Sequence, residues 1–155
     1  MRPILEYGNV IWGPFYQADI KMIESVQRRA TKLVPGLYHL PYKECLQQLR
    51  IPSLVYRRMR GDMIWVYKII HGLVQIDSTQ LFLPVTMKNT RGHALKLYKK
   101  HATKLHRIRS FSARVVNDWH NLPSEIVEAP PTLNVFKNLL DKHWNHKQYQ
   151  YDSHI

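Results

Sequence analysis

Apolar residues recur along most of this chain at helical spacing. From Ile20 to Val34, at 100° per residue, Ile20, Met22, Ile23, Val26, Ala30, Leu33 and Val34 fall within one arc of about 160°, and Lys21, Arg28, Arg29 and Lys32 gather opposite. The spacing predicts a helix over 16–34 with a dry face and a cationic face. Asp19 suits its first turn and Lys32 its last, and Pro35-Gly36 is a stop signal. A second helix is predicted over 53–71. There Val55, Met59, Met63, Val66 and Ile70 form one stripe, Arg57 and Lys68 lie opposite, Arg58 and Arg60 flank them, Ser53 is a cap and Gly72 a stop. Shorter helical patterns cover 4–12, 42–50, 78–83, 111–120, 123–128 and 132–145, and the polar run from Asn145 is expected to fray. Between 92 and 110 the periodicity weakens. Leu95, Leu97, Leu105 and Ile108 alternate imperfectly with basic residues, which predicts a β-hairpin or two short strands, with a basic helix as competitor. The expected fold class is mainly α, a helical bundle with a small β-hairpin and a C-terminal helix.

Composition adds a partner to this picture. The chain has 155 residues, 45% of them apolar, enough for one domain with a real core. Its net charge of +12 points to a polyanion, nucleic acid first and an acidic membrane surface second. That charge is concentrated: residues 88–114 hold nine Lys and Arg and not one Asp or Glu, and so supply nine of the twelve net charges. The single cysteine, Cys45, excludes an internal disulfide framework and fits a reducing compartment. No apolar run approaches the roughly 18 to 20 residues that cross a bilayer. The chain is expected to be soluble and intracellular, in nucleus or cytoplasm.

Searches for catalytic patterns return little. The aspartates are scattered, with none beside another acidic residue, so no carboxylate cluster for a two-metal site is indicated. His143 and His146 share a helical face, but the spacing indicates no third ligand. Neither a Gly-rich phosphate loop nor a G-x-S-x-G elbow occurs. No cofactor or metal is implied. The candidate functional residues are therefore cationic: Arg28, Arg29 and Lys32 on the first long helix, Arg57, Arg58 and Arg60 on the second, and Arg91, Lys96, Lys99, Lys100, Arg107, Arg109 and Arg114 in the acid-free segment. Tyr98, His101 and Phe111 interleave with the last group. Lys and Arg neutralise phosphates, and aromatic rings stack on unpaired bases.

The stretches RPILEYGNVIW, IESVQRRATKLVPGL, LPYKECLQQL, IPSLVYRRMRGDMIWVYKIIHG, TRGHALKLYK and FSARVVNDWHNLPSEIVEAPPTLNVFKNLLDKHW, in order over almost the whole chain, resemble the C-terminal part of non-LTR retrotransposon reverse transcriptases of the Jockey and chicken-repeat kind. That resemblance implies a thumb-like helical region over 1–84, a basic C-terminal extension over 85–145 and a flexible tail over 146–155. It also implies RNA and DNA as partners, as template-primer or target DNA, together with an upstream polymerase palm where a parent protein carries one. The paired-aspartate palm and the endonuclease of that family are absent here, so the chain is expected to be a non-catalytic fragment of an RNA-directed DNA polymerase. A structural relic with no selective ligand is the alternative.

Overall fold

The computed structural model describes residues 6–8, 10–85, 92–128 and 132–150. Among them the chain is mainly helical: α1 Gln17–Lys32, α2 Tyr42–Leu49, α3 Leu54–Ile70, α4 Ser78–Leu81, α5 Leu105–Ile108, α6 Phe111–His120, α7 Ser124–Val127 and α8 Leu133–His143, followed by a 3₁₀ turn at Asn145–Lys147. Local chemistry accounts for several boundaries. Ser53 Oγ accepts the Tyr56 N–H at 3.2 Å and caps α3. At the other end Gly72 takes a left-handed φ of 64°, while Leu73 N–H reaches Lys68 O and Gly72 N–H reaches Ile69 O, a Schellman ending. Helix α2 closes in the same way on Arg50, which sits at φ 52° without being glycine.

The organising element is α3. It packs against α1 on one side and against α6 and α8 on others, and α7 packs on α8. Its residues Tyr56, Met63, Val66, Tyr67 and Ile69 share one buried cluster with Val115, Val116 and Trp119 of α6 and with Phe136 and Leu140 of α8. Within it the Tyr67 and Phe136 rings stack at 4.1 Å between centroids. The stretch 85–145, expected as an extension, thus contributes 11 of the 17 buried residues of that one cluster.

Two expectations need correction, and a third falls partly outside the described residues. The β-hairpin between 92 and 110 is not formed among the described residues. Instead Leu97 makes a lone antiparallel bridge with Pro84, held by Val85 N–H to Lys96 O at 3.0 Å and Tyr98 N–H to Leu83 O at 2.7 Å. On the opposite edge the Leu97 N–H is taken by His120 Nε2 at 3.0 Å, and residues 105–108 close a helical turn, so the two halves of the expected hairpin do not pair. The helix expected over 4–12 lies partly outside the described residues. Those from Tyr7 to Trp12 that are described carry a turn on Gly8, whose φ is 65°. The polar run after Asn145 does not leave the body as far as Gln150. Gln148 O accepts the Ser53 N–H at 2.9 Å and Gln150 O accepts Ser53 Oγ at 2.5 Å, so the end of the chain is bonded to the start of α3. Residues 151–155 lie outside the described set.

The dry face of α1 also differs from its sequence reading. Ile20, Glu24 and Thr31 are buried and Ile23 and Gln27 half-buried, a face about a quarter turn from the apolar arc at 100° per residue. Met22 and Leu33 are left in solvent. The reason is Glu24, which faces α3: its carboxylate accepts the Leu54 N–H on both oxygens, at 3.2 and 3.1 Å, and the Tyr42 hydroxyl at 2.6 Å. One side chain therefore joins α1, α2 and the positive end of α3.

Candidate nucleic-acid interface

The candidate cations separate into two groups by their surroundings. Those of α3 face inward. Arg57 pairs with Glu6 and donates to Gln27 Oε1 at 3.3 Å. Arg60 makes a two-pronged pair with Asp141 of α8, at 2.5 and 2.8 Å, and Tyr56 Oη donates to the same carboxylate at 2.9 Å. Arg58 is half-buried, and burial pushes its guanidinium below its ordinary range, opposed by the charges of Glu24 and Asp62. Arg114 of α6 is held by Asp62 through two bonds of 3.0 Å and reaches Val10 O at 3.3 Å. Desolvation raises the Asp62 pKa even so, with Arg114 pulling it back down. Arg57, Arg60 and Arg114 are thereby tied to other parts of the fold, while the Arg58 Nη2 is buried without a hydrogen-bond partner among the described residues.

The first-helix residues divide again. Lys32 curls into the following turn, donating to Tyr38 O at 2.7 Å and to the carbonyls of Leu37 and Leu40. Arg28 is exposed, with its guanidinium 5.1 Å from the centre of the Tyr42 ring, and Arg29 beside it is exposed.

The second group lies in the acid-free segment. Arg91 falls outside the described residues. Lys96 is half-buried. Lys99, Lys100, Lys104 and Arg107 are exposed, and Tyr98 among them shows 56% of its surface to solvent. Lys99 Nζ donates to Asn117 Oδ1 of α6 at 3.1 Å. The strand-like half of the segment is anchored by its apolar and imidazole side chains. His93 is fully buried with Nε2 at 3.0 Å from Trp119 O, Trp119 Nε1 donates to Leu95 O at 2.8 Å, and the Ala94 N–H donates to Glu128 Oε1 at 2.9 Å. Burial lowers the pKa of both His93 and His120. The arrangement pins a run of backbone while leaving Lys99 and Lys100 exposed.

Arg109 differs from its neighbours. Its guanidinium lies 4.2 Å from the Phe15 ring centre and 4.4 Å from that of Tyr16, in cation–π contact with two rings that meet edge to face and are each 55% exposed. It stands at the edge of a cleft of about 470 Å³ between residues 13–17, α3 and the α5–α6 stretch, with Arg58, Met59, Ile108 and Asp118 in its walls. The cleft escaped sequence reading because its parts lie up to a hundred positions apart. A signal for the inward arginines was present, however. Ile64 and Trp65 lie off the α3 stripe, and a helix apolar on several sides is a central one whose charges need internal partners.

Among the described residues no group of three or more His, Cys, Asp and Glu is placed to hold a metal ion, and no helix is long and apolar enough to cross a membrane. No family model, no curated protein and no solved structure matches the chain.

Proposed function

We propose that the chain is a non-catalytic nucleic-acid-binding module, akin to the thumb and C-terminal region of a non-LTR retrotransposon reverse transcriptase. It would work in nucleus or cytoplasm beside a polymerase palm supplied by a parent protein. One observation carries this reading: the acid-free segment presents Lys99, Lys100, Lys104 and Arg107 outward around exposed Tyr98, while the arginines of α3 face carboxylates inside the fold. Excess positive charge with no acidic neighbours in sequence is suited to phosphate neutralisation, and an exposed tyrosine beside it to stacking on an unpaired base. Within this reading Lys96, Lys99, Lys100 and Arg107 hold RNA or target DNA, and Arg28 and Arg29 lie along a duplex backbone. Arg57, Arg58, Arg60, Arg114 and Lys32 act by holding the scaffold.

Fluorescence anisotropy with an RNA hairpin and a DNA duplex, at about 50 and about 200 mM salt, tests it. Affinity is expected to fall steeply with salt. Reversing Lys99, Lys100 and Arg107 together should flatten the logarithmic slope by about 2 to 3, since each phosphate contact contributes roughly 0.7 to 0.9. Reversing Arg28 and Arg29 should flatten it less. No binding at the lower salt, or an unchanged slope after the triple reversal, would leave the structural relic as the better reading.

A further inference from the structure

The cleft between residues 13–17 and α3 combines side chains that are already engaged with one that is not. Its wall contains a carboxylate, Asp118 of α6, for which no hydrogen bond or ion pair is found among the described residues. Burial raises its pKa, with the field of Lys147 working in the other direction. Asp62, the other acid in the wall, is already held by Arg114. The edge is aromatic and cationic, formed by Phe15 and Tyr16 under the Arg109 guanidinium. Its volume of about 470 Å³ lies within the roughly 300–1,000 Å³ of small-molecule sites. Ile108 lines the cleft while Arg107, its neighbour in the chain, is exposed in the cationic band.

We propose that this cleft receives one unpaired guanine of the bound nucleic acid, with Asp118 accepting from its Watson–Crick edge and the Arg109 guanidinium, backed by Phe15 and Tyr16, covering its face. The proposal rests on the nucleic-acid-binding reading and adds a base preference to it. Guanine is the base whose edge carries two adjacent donors, N1–H and N2–H, and it can engage both oxygens of a carboxylate at once. Adenine and cytosine offer an amino donor beside an acceptor nitrogen that would oppose Asp118, and uracil offers one N–H between two carbonyls. The sugar-phosphate of a base seated against Ile108 would emerge beside Arg107 and Lys104, so one nucleotide joins the cleft to the phosphate-binding band.

The test uses the full chain and three RNA hairpins with identical stems and a single-stranded loop holding one guanine, inosine or adenine at the same position. The guanine loop should bind about tenfold more tightly than the adenine loop, the low end of what one bidentate pair discriminates. Inosine, lacking N2–H, should fall between them. Asp118→Asn should bring the guanine loop down to the affinity of the adenine loop while leaving the adenine loop's affinity and the salt slope in place, and Ile108→Trp, which fills the cleft from an exposed position, should do the same. Equal binding of the three loops by the wild type, or a preference that survives both variants, overturns the guanine site and leaves the phosphate-binding reading standing. Failure of all three hairpins to bind at low salt overturns that reading and this one with it.

Discussion

Replacing Glu24 by alanine should be among the most damaging single changes outside the aromatic core. The side chain is 3% exposed and serves three elements, accepting from Tyr42 Oη at 2.6 Å and from Leu54 N–H on both oxygens. Alanine orphans both donors, at about 1–3 kcal/mol each, and deprives Arg58 of one of the two carboxylates whose charge offsets its burial. Losses of about 3–5 kcal/mol are usual when one member of a buried charged constellation is deleted. Set against a domain stability of about 5–15 kcal/mol, this lowers the urea midpoint by about 2 M for an m-value near 2 kcal/mol/M. Glu24→Gln keeps one oxygen and the shape, and should cost about 1–2 kcal/mol. Its penalty should also depend on pH. Burial is the dominant influence on Glu24 and raises its pKa above the ordinary 4.5, so the wild-type carboxyl contributes most below pH 4.5 and loses contribution as pH rises through the raised value. The glutamine variant, having no charge to bury, should therefore lie closest to wild type at neutral pH. Urea titrations followed by circular dichroism at acidic and neutral pH measure both effects. An alanine variant within about 1 kcal/mol of wild type, or one no worse than the glutamine variant, would refute the placing of Glu24 at this junction.

Other outcomes follow from the same contacts. His120 accepts the Leu97 N–H and His93 is buried against Trp119, and burial depresses both imidazoles below 6.5. Their contribution is present above pH 6.5 and is lost as pH falls through the depressed values, so amide-exchange protection at Leu97, corrected for intrinsic rate, should fall on acidification below pH 6.5. Unchanged protection at pH 5.5 would count against this. Asp141→Asn weakens a two-pronged pair that is partly open to solvent, and should cost about 1 kcal/mol in a urea titration. Trp119→Ala empties a fully buried site and removes the bond to Leu95 O. A loss of about 3–5 kcal/mol, seen as an early thermal transition, is expected. Arg50→Gly relieves a left-handed arginine and should raise the unfolding free energy in a urea titration by about 0.5–1 kcal/mol, a change of sign relative to the others.

Much of the secondary structure was legible in the chain. Helical spacing placed α1, α3, α6 and α8 close to their observed limits, and Ser53, Gly36 and Gly72 marked turns or caps that the backbone does adopt. The failures share a cause. The segment 92–110 has too weak a period to choose its own structure, and its contacts are made with distant groups such as His120, 23 positions beyond the Leu97 N–H it accepts. Lys32, Arg57, Arg60 and Arg114 read as a cationic surface because a helical wheel shows which residues are polar and not what faces them.

By itself, then, the sequence determined the number and kind of main helices and the location of the excess charge. Both depend on residues near one another along the chain, through caps, spacing and composition. Only the tertiary structure decided which face of α1 is buried, which arginines are occupied by Asp62, Asp141 and Glu6, and that Phe15, Arg58, Arg109 and Asp118 border one cleft. Those outcomes depend on partners dozens of residues away, because a buried charge must be matched by whichever group the packing brings against it. Glu24 is the clearest case. As one acid in the middle of a cationic helix it looks incidental, and in the fold it sets the rotation of α1 against the start of α3.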